Sequence, residues 1–361
     1  MREFDKSIQL LSDYDTTTMM KGLAMGCVFF HHWLGWLPHQ SGSLFELLNK
    51  GGGFAGTFVN VFFILSGYGL MKSIQKKPID NWRKWYIHRS IALLIPYWFI
   101  TVATFFFARW SLWFFDSSET NLPWSTLLLH LFLLRNFFSG SWGFNDSLWF
   151  IPVIFGLYLF FPLLLCAIKK GVSVFVFFSS FVGIGSVLLF SFMGFPTGHF
   201  GAFFAFYTIP FSLGMLLAHK DISLRYFGRI KWVVVAFALY LSSFMLIKFC
   251  HALGDYNDIL NAFGAMIICS WLCRIIAPIR VAKIIVLFFG KNSYALYLLH
   301  GVCILHLAKP LLQEVNLNPF EFMLTGGLLL SFLVLVTPWI STLIWGAWNW
   351  VVCANQNNDI G

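Results

Sequence analysis

The chain has 361 residues, of which 58% are hydrophobic and only 11% are charged, and its mean hydropathy is +0.75. Because soluble domains carry about 25% charged residues, this composition excludes a soluble globular protein and indicates a polytopic integral membrane protein. The net charge of +9 arises from short basic loops between apolar runs, a pattern that argues against nucleic-acid binding.

The seven cysteines lie in or beside apolar segments and form no C-x-x-C pair. We therefore expect neither a disulfide framework nor a metal site, and we interpret these cysteines as small buried hydrophobic residues. The sequence also indicates no permanently bound cofactor.

Apolar runs of about 20 residues recur along the chain and predict an all-α fold, a polytopic bundle of about ten transmembrane helices. The predicted spans are 18–37, 53–72, 91–112, 148–168, 171–193, 202–219, 232–250, 258–277, 284–307 and 323–347. The apolar stretch 125–138 is shorter, and we interpret it as re-entrant or interfacial, with an additional span as the alternative. We expect a single membrane domain over 1–361, made of a cytoplasmic tail 1–17, a membrane region 18–347 and a C-terminal tail 348–361.

Basic residues set the expected orientation of these spans. The 72–90 loop holds six lysines and arginines against Asp80 alone, which places it in the cytoplasm by the positive-inside rule. The basic loops near 169–170, 220–231 and 280–283 then fall on the same side, whereas 113–124 and 251–258, which lack lysine and arginine, fall outside. We therefore predict a multi-pass protein of the cell membrane with both termini in the cytoplasm.

The first span carries an unusual pair of polar residues, Lys21 and His32. Their separation turns an α-helix through about three full turns, so the two side chains share one face about 16 Å apart along the axis. In the predicted orientation Lys21 lies at the cytoplasmic end and His32 lies deeper in the membrane. Lys21 is either a snorkelling end-of-span lysine or a contact for an anionic substrate, which Arg89 and its basic loop would extend.

The adjacent residues His31 and His32 leave three interpretations open. One histidine could be a structural group bonded to a neighbouring helix, with the other in an aromatic belt. A metal site is disfavoured because adjacent side chains on a helix point about 100° apart. We favour a general base in a buried cavity and assign it to His32, with His31 as the second candidate.

Acidic residues are absent from the middle of every predicted span, and Asp146 comes closest, at the outer edge of the fourth. Ion-coupled carriers usually need intramembrane carboxylates, so this inventory disfavours a coupled transporter and suits proton transfer by imidazole. On the second span, Ser66 and Gly67 are typical of close helix packing, and Asn60 needs a hydrogen-bonding partner in lipid.

Several segments together resemble the acyltransferase family 3 membrane proteins. The family pattern of a basic residue, ten others and a histidine corresponds to Lys21-x10-His32, with lysine in place of the usual arginine. The second-helix pattern is similar to Phe62-Phe63-Ile64-Leu65-Ser66-Gly67-Tyr68. Further matches follow in order: Arg89, Pro96-Tyr97, Leu148-Trp149-Phe150 with Tyr158 and Pro162, and Ser293-Tyr294-Ala295-Leu296-Tyr297-Leu298-Leu299-His300.

The resemblance implies transfer of an acyl group, most often acetyl, from cytoplasmic acetyl-CoA as co-substrate to a hydroxyl of an envelope glycan or its lipid-linked precursor. Donor contacts are then expected at Lys21, Arg89 and Ser66. On the acceptor side we expect Asn60, Asp146, Trp149 and His300.

Three of these residues carry specific alternatives. Trp149 is a sugar-stacking group or a member of the aromatic belt, and His300 is a second proton-handling group or a structural histidine. Ile154 and Phe155 stand where the family has glutamates, so either Asp146 serves as the acid or the chain belongs to a divergent branch.

Two other classes of function are the alternatives: a transporter or flippase of a glycolipid or small solute, without covalent chemistry, and a non-catalytic membrane scaffold. A transporter would move its substrate with no acyl donor present. The expected partners of the enzyme are the lipid bilayer, acyl-CoA and a glycan or lipid-linked sugar, with no nucleic acid, and homo-oligomerisation is left open.

Overall fold

The computed structural model describes residues 12–36, 43–115, 122–138, 144–194, 203–249, 257–312, 315 and 317–358. Within these residues the chain is helical and has no β-strand, which confirms the all-α fold. The helices are α1 (Asp13–Trp36), α2 (Ser43–Gly56), α3 (Val59–Lys76), α4 (Trp82–Phe115), α5 (Trp124–Leu131), α6 (Phe150–Lys170), α7 (Val172–Phe192), α8 (Thr208–His219), α9 (Ile230–Phe249), α10 (Asn257–Ile276), α11 (Arg280–Lys291), α12 (Ser293–Cys303), α13 (Lys309–Leu312) and α14 (Pro319–Asn358).

Seven stretches of the described chain are long and apolar enough to cross a membrane, in agreement with a helical membrane bundle. They are Lys50–Lys76, Trp82–Ser111, Asp146–Lys170, Val172–Phe192, Ile259–Ile276, Ser293–Leu312 and Pro319–Ile340. Two shorter apolar helices, Phe204–His219 and Ile230–Leu246, match the predicted spans 202–219 and 232–250. Residues 18–36 of the predicted span 18–37 lie in α1, which is not among the seven, because a threonine, Lys21 and two histidines lower the hydropathy of this stretch.

The prediction of one continuous helix over 284–307 is wrong. α11 ends at Lys291, a turn follows at Asn292, and the candidate span begins at Ser293. On α11 an exposed apolar stripe recurs at helical spacing, which is typical of a helix at a membrane surface. The sequence average missed the break because this one-sided stripe runs directly into the apolar α12.

The stretch 125–138 forms α5 and a short 3₁₀ turn, Arg135–Phe137. A helix of this length extends about 12 Å, which is too short to cross a hydrocarbon core of about 30 Å. The hydroxyl of Tyr97 donates to the carbonyl of His130 at 2.8 Å, and the indole of Trp98 donates to that of Leu131 at 2.9 Å. These bonds satisfy the last carbonyls of α5 and hold it against α4.

The helices pack as two compact units. The first unit comprises the described parts of Met1–His31, Gly51–Asp80 and Pro152–Lys291, and the second comprises those of His32–Lys50, Asn81–Ile151 and Asn292–Gly361. The single-domain organisation over 1–361 stays a prediction.

Reciprocal glycines bring helix backbones into contact within the first unit. A Cβ atom at Gly67 of α3 would overlap the carbonyl oxygen of Phe211 on α8, and one at Gly214 of α8 would overlap that of Ile64 on α3. Close approach of this kind is available only to residues without a side chain. Gly67 therefore makes the close helix contact that the sequence predicted for Ser66 and Gly67.

Candidate active site

His32 and His300 lie side by side in the second unit. Their ring centroids are 5.1 Å apart and the ring planes are inclined at 38°. His300 is completely buried and His32 is partly exposed. The structure therefore brings together the predicted base and the predicted second proton-handling residue, which are 268 positions apart in the sequence.

α12 fixes the orientation of the His300 ring. Its Nδ1 lies 2.7 Å from the carbonyl oxygen of Tyr297 and 3.3 Å from that of Leu296. A carbonyl oxygen can only accept, so Nδ1 carries the proton and the Nε2 atom of the neutral ring is the basic nitrogen. An imidazole held in one tautomer by a backbone carbonyl is suited to directed proton transfer.

The segment 145–149, which leads into α6, is bonded to α12. The hydroxyl of Tyr297 donates to the carbonyl oxygen of Ser147, and the Ser147 hydroxyl donates to Oδ1 of Asn145 at 2.6 Å. A Cβ atom at Gly301 would overlap the side chains of both Asn145 and Ser147. The turn of α12 that carries His300 is therefore packed directly against this segment.

A fully buried arginine, Arg135, also contacts this segment. Its Nη1 donates to the carbonyl oxygens of Asn145 at 3.2 Å and Asp146 at 3.3 Å. The half-buried carboxylate of Asp146 adds electrostatic attraction to the guanidinium. Asp146 is thus associated with Arg135 in the structure.

His130 lies beside this arginine and is completely buried. Its Nδ1 donates to the carbonyl of Thr126 at 2.8 Å, and its ring centroid is 4.4 Å from that of Phe144. Burial, with a smaller contribution from the positive charge of Arg135, lowers the pKa of His130 to about 3. This histidine is therefore neutral at physiological pH.

Trp149 is buried, with 9% of its surface exposed. Its carbonyl accepts a hydrogen bond of 3.0 Å from Nδ2 of Asn136. Its low exposure disfavours the aromatic-belt interpretation, because belt residues present their rings to the membrane interface. Contact with a sugar stays a prediction.

His31 belongs to the first unit. Its Nδ1 lies 2.8 Å from the carbonyl oxygen of Gly52, and a Cβ atom at Gly56 would overlap its ring. The structure thus gives His31 the packing and bonding expected of a structural histidine. The other two candidates on α3 lie in the same unit, with Asn60 completely buried and Ser66 partly exposed.

The two predicted donor contacts, Lys21 and Arg89, are each partly exposed and belong to different units. Lys21 precedes Gly22, where a Cβ atom would overlap the Val286 carbonyl of α11. The Arg89 guanidinium lies 6.0 Å from the ring centroid of Trp85, a cation–π distance.

Sequence reasoning missed Arg135, His130 and Asn145 as parts of this region. A signal was present, since Arg135 is the only charged residue of the apolar stretch 125–138, and an ionisable residue in such a stretch indicates a functional site. No cluster of three or more histidine, cysteine, aspartate or glutamate side chains in the described chain is arranged to hold a metal ion.

The helical bundle and its apolar spans define an α-helical membrane protein in which two histidine rings lie side by side. A family model described as an acyltransferase domain matches residues 17–352, nearly the whole chain. The chain therefore belongs to acyltransferase family 3 and is a membrane acyltransferase. No curated protein and no solved structure matches it.

Proposed function

We propose that this acyltransferase is an O-acetyltransferase that moves acetyl from cytoplasmic acetyl-CoA to a hydroxyl of an envelope or cell-surface glycan or its lipid-linked precursor. The observation that carries the proposal is the contact between His32 and His300. A sugar hydroxyl is a poor nucleophile, and an adjacent neutral imidazole can remove its proton as it attacks.

In the proposed reaction His32 takes the proton of the acceptor hydroxyl. The hydroxyl oxygen forms a bond to the thioester carbonyl carbon, and the carbon–sulfur bond of acetyl-CoA breaks. The proton passes from His32 to the departing thiolate, so the products are the acetyl ester and free coenzyme A. His300 orients the acceptor or His32, since its Nδ1 is engaged by Tyr297 and its Nε2 is the ring nitrogen that can accept.

The donor is proposed to approach from the cytoplasmic side. Lys21 and Arg89 supply positive charge for the phosphates of coenzyme A, and the orientation predicted from the basic loops places both residues at that surface. Asn60, Asp146 and Trp149 are assigned to the acceptor path. The protein is proposed to reside in the cell membrane with both termini in the cytoplasm.

Purified protein in lipid nanodiscs, supplied with acetyl-CoA labelled in the acetyl group and a fraction of cell-envelope glycans, tests this function. We expect label on the glycan and release of one free thiol per acetyl group transferred, and we expect both to require His32. Movement of lipid-linked sugar across vesicles with no acyl donor, and no labelled glycan, would instead support a flippase.

A further inference from the structure

Arg135 is completely buried in the second unit. A buried guanidinium is costly unless hydrogen bonds and opposite charge compensate its lost hydration. Here the compensation comes from the carbonyl oxygens of Asn145 and Asp146, at 3.2 Å and 3.3 Å, and from the Asp146 carboxylate. Arg135 is therefore bonded to a short piece of backbone at residues 145–146.

The same piece of backbone is in direct contact with α12. The carbonyl oxygen of Ser147 accepts a hydrogen bond from the Tyr297 hydroxyl, and the Ser147 hydroxyl donates one to Oδ1 of Asn145. Gly301 leaves no room for a side chain between α12 and these two residues. Segment 145–147 is thus bonded to Arg135 and packed against a single turn of α12.

His300 lies on that turn, between Tyr297 and Gly301, and its Nδ1 is fixed by the Tyr297 carbonyl. A shift of segment 145–147 would move Tyr297 and Gly301, and with them the ring that faces His32 at 5.1 Å. We propose that Arg135 is a positioning residue, which acts through segment 145–147 and α12 to hold His300 against His32. This inference rests on the proposed function, in which the histidine pair handles the acceptor proton.

Nη1 of Arg135 donates to both adjacent carbonyl oxygens, and a lysine ammonium, which is a compact and more strongly hydrated point charge on a different stem, does not reproduce the position of that buried nitrogen. Arg135→Lys keeps the positive charge and should reduce kcat by about 10- to 100-fold, the loss typical of a small misplacement of reacting groups. The KM for acetyl-CoA should stay within about twofold, since donor binding does not involve this segment.

Arg109→Lys is the matched control. Arg109 is a partly exposed arginine whose Nη1 also donates to a backbone carbonyl, that of Leu122 at 2.7 Å. It makes the same type of bond away from segment 145–147, so this variant should keep the wild-type kcat. A kcat of Arg135→Lys within twofold of wild type, or an equal loss in both variants, would overturn the proposal.

A double-mutant cycle shows whether Arg135 acts through His300. His300→Gln should itself lower kcat, and adding Arg135→Lys to it should cause little further loss, because the residue being positioned is already gone. Full activity of His300→Gln, or the same fold loss from Arg135→Lys in both backgrounds, contradicts the inference.

Acetyl transfer by the wild-type protein tests the proposed function separately from the role of Arg135. If the wild-type protein transfers no acetyl group, thermal unfolding of Arg135→Lys, Tyr297→Phe and the double variant still measures the coupling. Stability losses that are smaller in combination than in sum show that both residues hold segment 145–147. Strictly additive losses show that they do not and overturn the proposal.

Discussion

The imidazole rings of His32 and His300 lie with their centroids 5.1 Å apart, although the two residues belong to α1 and α12. His300 is held in one tautomer by the carbonyl of Tyr297. The neighbouring His31 is bonded instead to the Gly52 carbonyl. Two adjacent histidines therefore have different environments, and this difference can be tested directly.

Replacement of His32 by alanine should reduce kcat by about 100-fold or more, as expected for loss of a general base. His31→Ala should keep kcat within a few-fold and lower the free energy of unfolding by about 1 kcal/mol, because one hydrogen bond to Gly52 is lost. Rates of acetyl transfer and thermal unfolding in detergent provide the two measurements. If the two variants lose activity equally, His32 is not the base.

Replacement of Lys21 by alanine should raise the KM for acetyl-CoA by about fivefold, the effect of losing about 1 kcal/mol from a partly solvated charge contact. Lys21→Arg should retain most of the affinity, and Lys50→Ala, at an exposed lysine of α2, is the control. A change confined to acceptor kinetics would rule out a donor contact.

Gly67→Ala should lower the free energy of unfolding by about 1–3 kcal/mol, because the added methyl group forces α3 and α8 apart. The matched control is Gly69→Ala on the same helix, where a Cβ atom meets no other atom within 4 Å. That change should be neutral or stabilising by up to about 1 kcal/mol, from helix propensity alone. Equal effects at the two positions would show that the helices do not touch at Gly67.

His130 predicts a pH dependence of stability. Its pKa is lowered to about 3 in the folded protein, against about 6.5 in an unfolded chain, so the unfolded state binds the additional proton between these values. The contribution of neutral His130 to the free energy of unfolding is fully present above about pH 6.5. On acidification the free energy of unfolding should fall by up to about 1.4 kcal/mol per pH unit. His130→Gln should remove this part of the slope in thermal unfolding measured from pH 7 to pH 4, while His88→Gln, at an exposed histidine, should not. Parallel slopes in all three proteins would disprove the assignment.

The local sequence determined the membrane class of this protein, the positions of most of its spans and the face that carries Lys21 and His32. Composition alone indicated the membrane class, and runs of about 20 apolar residues located six of the seven stretches that meet the requirements of a span. Helical periodicity placed Lys21 and His32 on one face of α1. These features depend on neighbouring residues along the chain, so they can be inferred without tertiary structure.

Other features depended on tertiary structure. The pairing of His32 with His300 joins residues that are far apart in the sequence, and the buried Arg135 donates to carbonyls that lie ten and eleven residues further along. The break at Asn292 was hidden because an amphipathic helix and an apolar one have similar average hydropathy. Hydropathy and helical period reveal whether a segment is a helix and which of its faces are apolar. The partners of a buried ring or guanidinium are set by the packing between segments, which these local patterns do not contain.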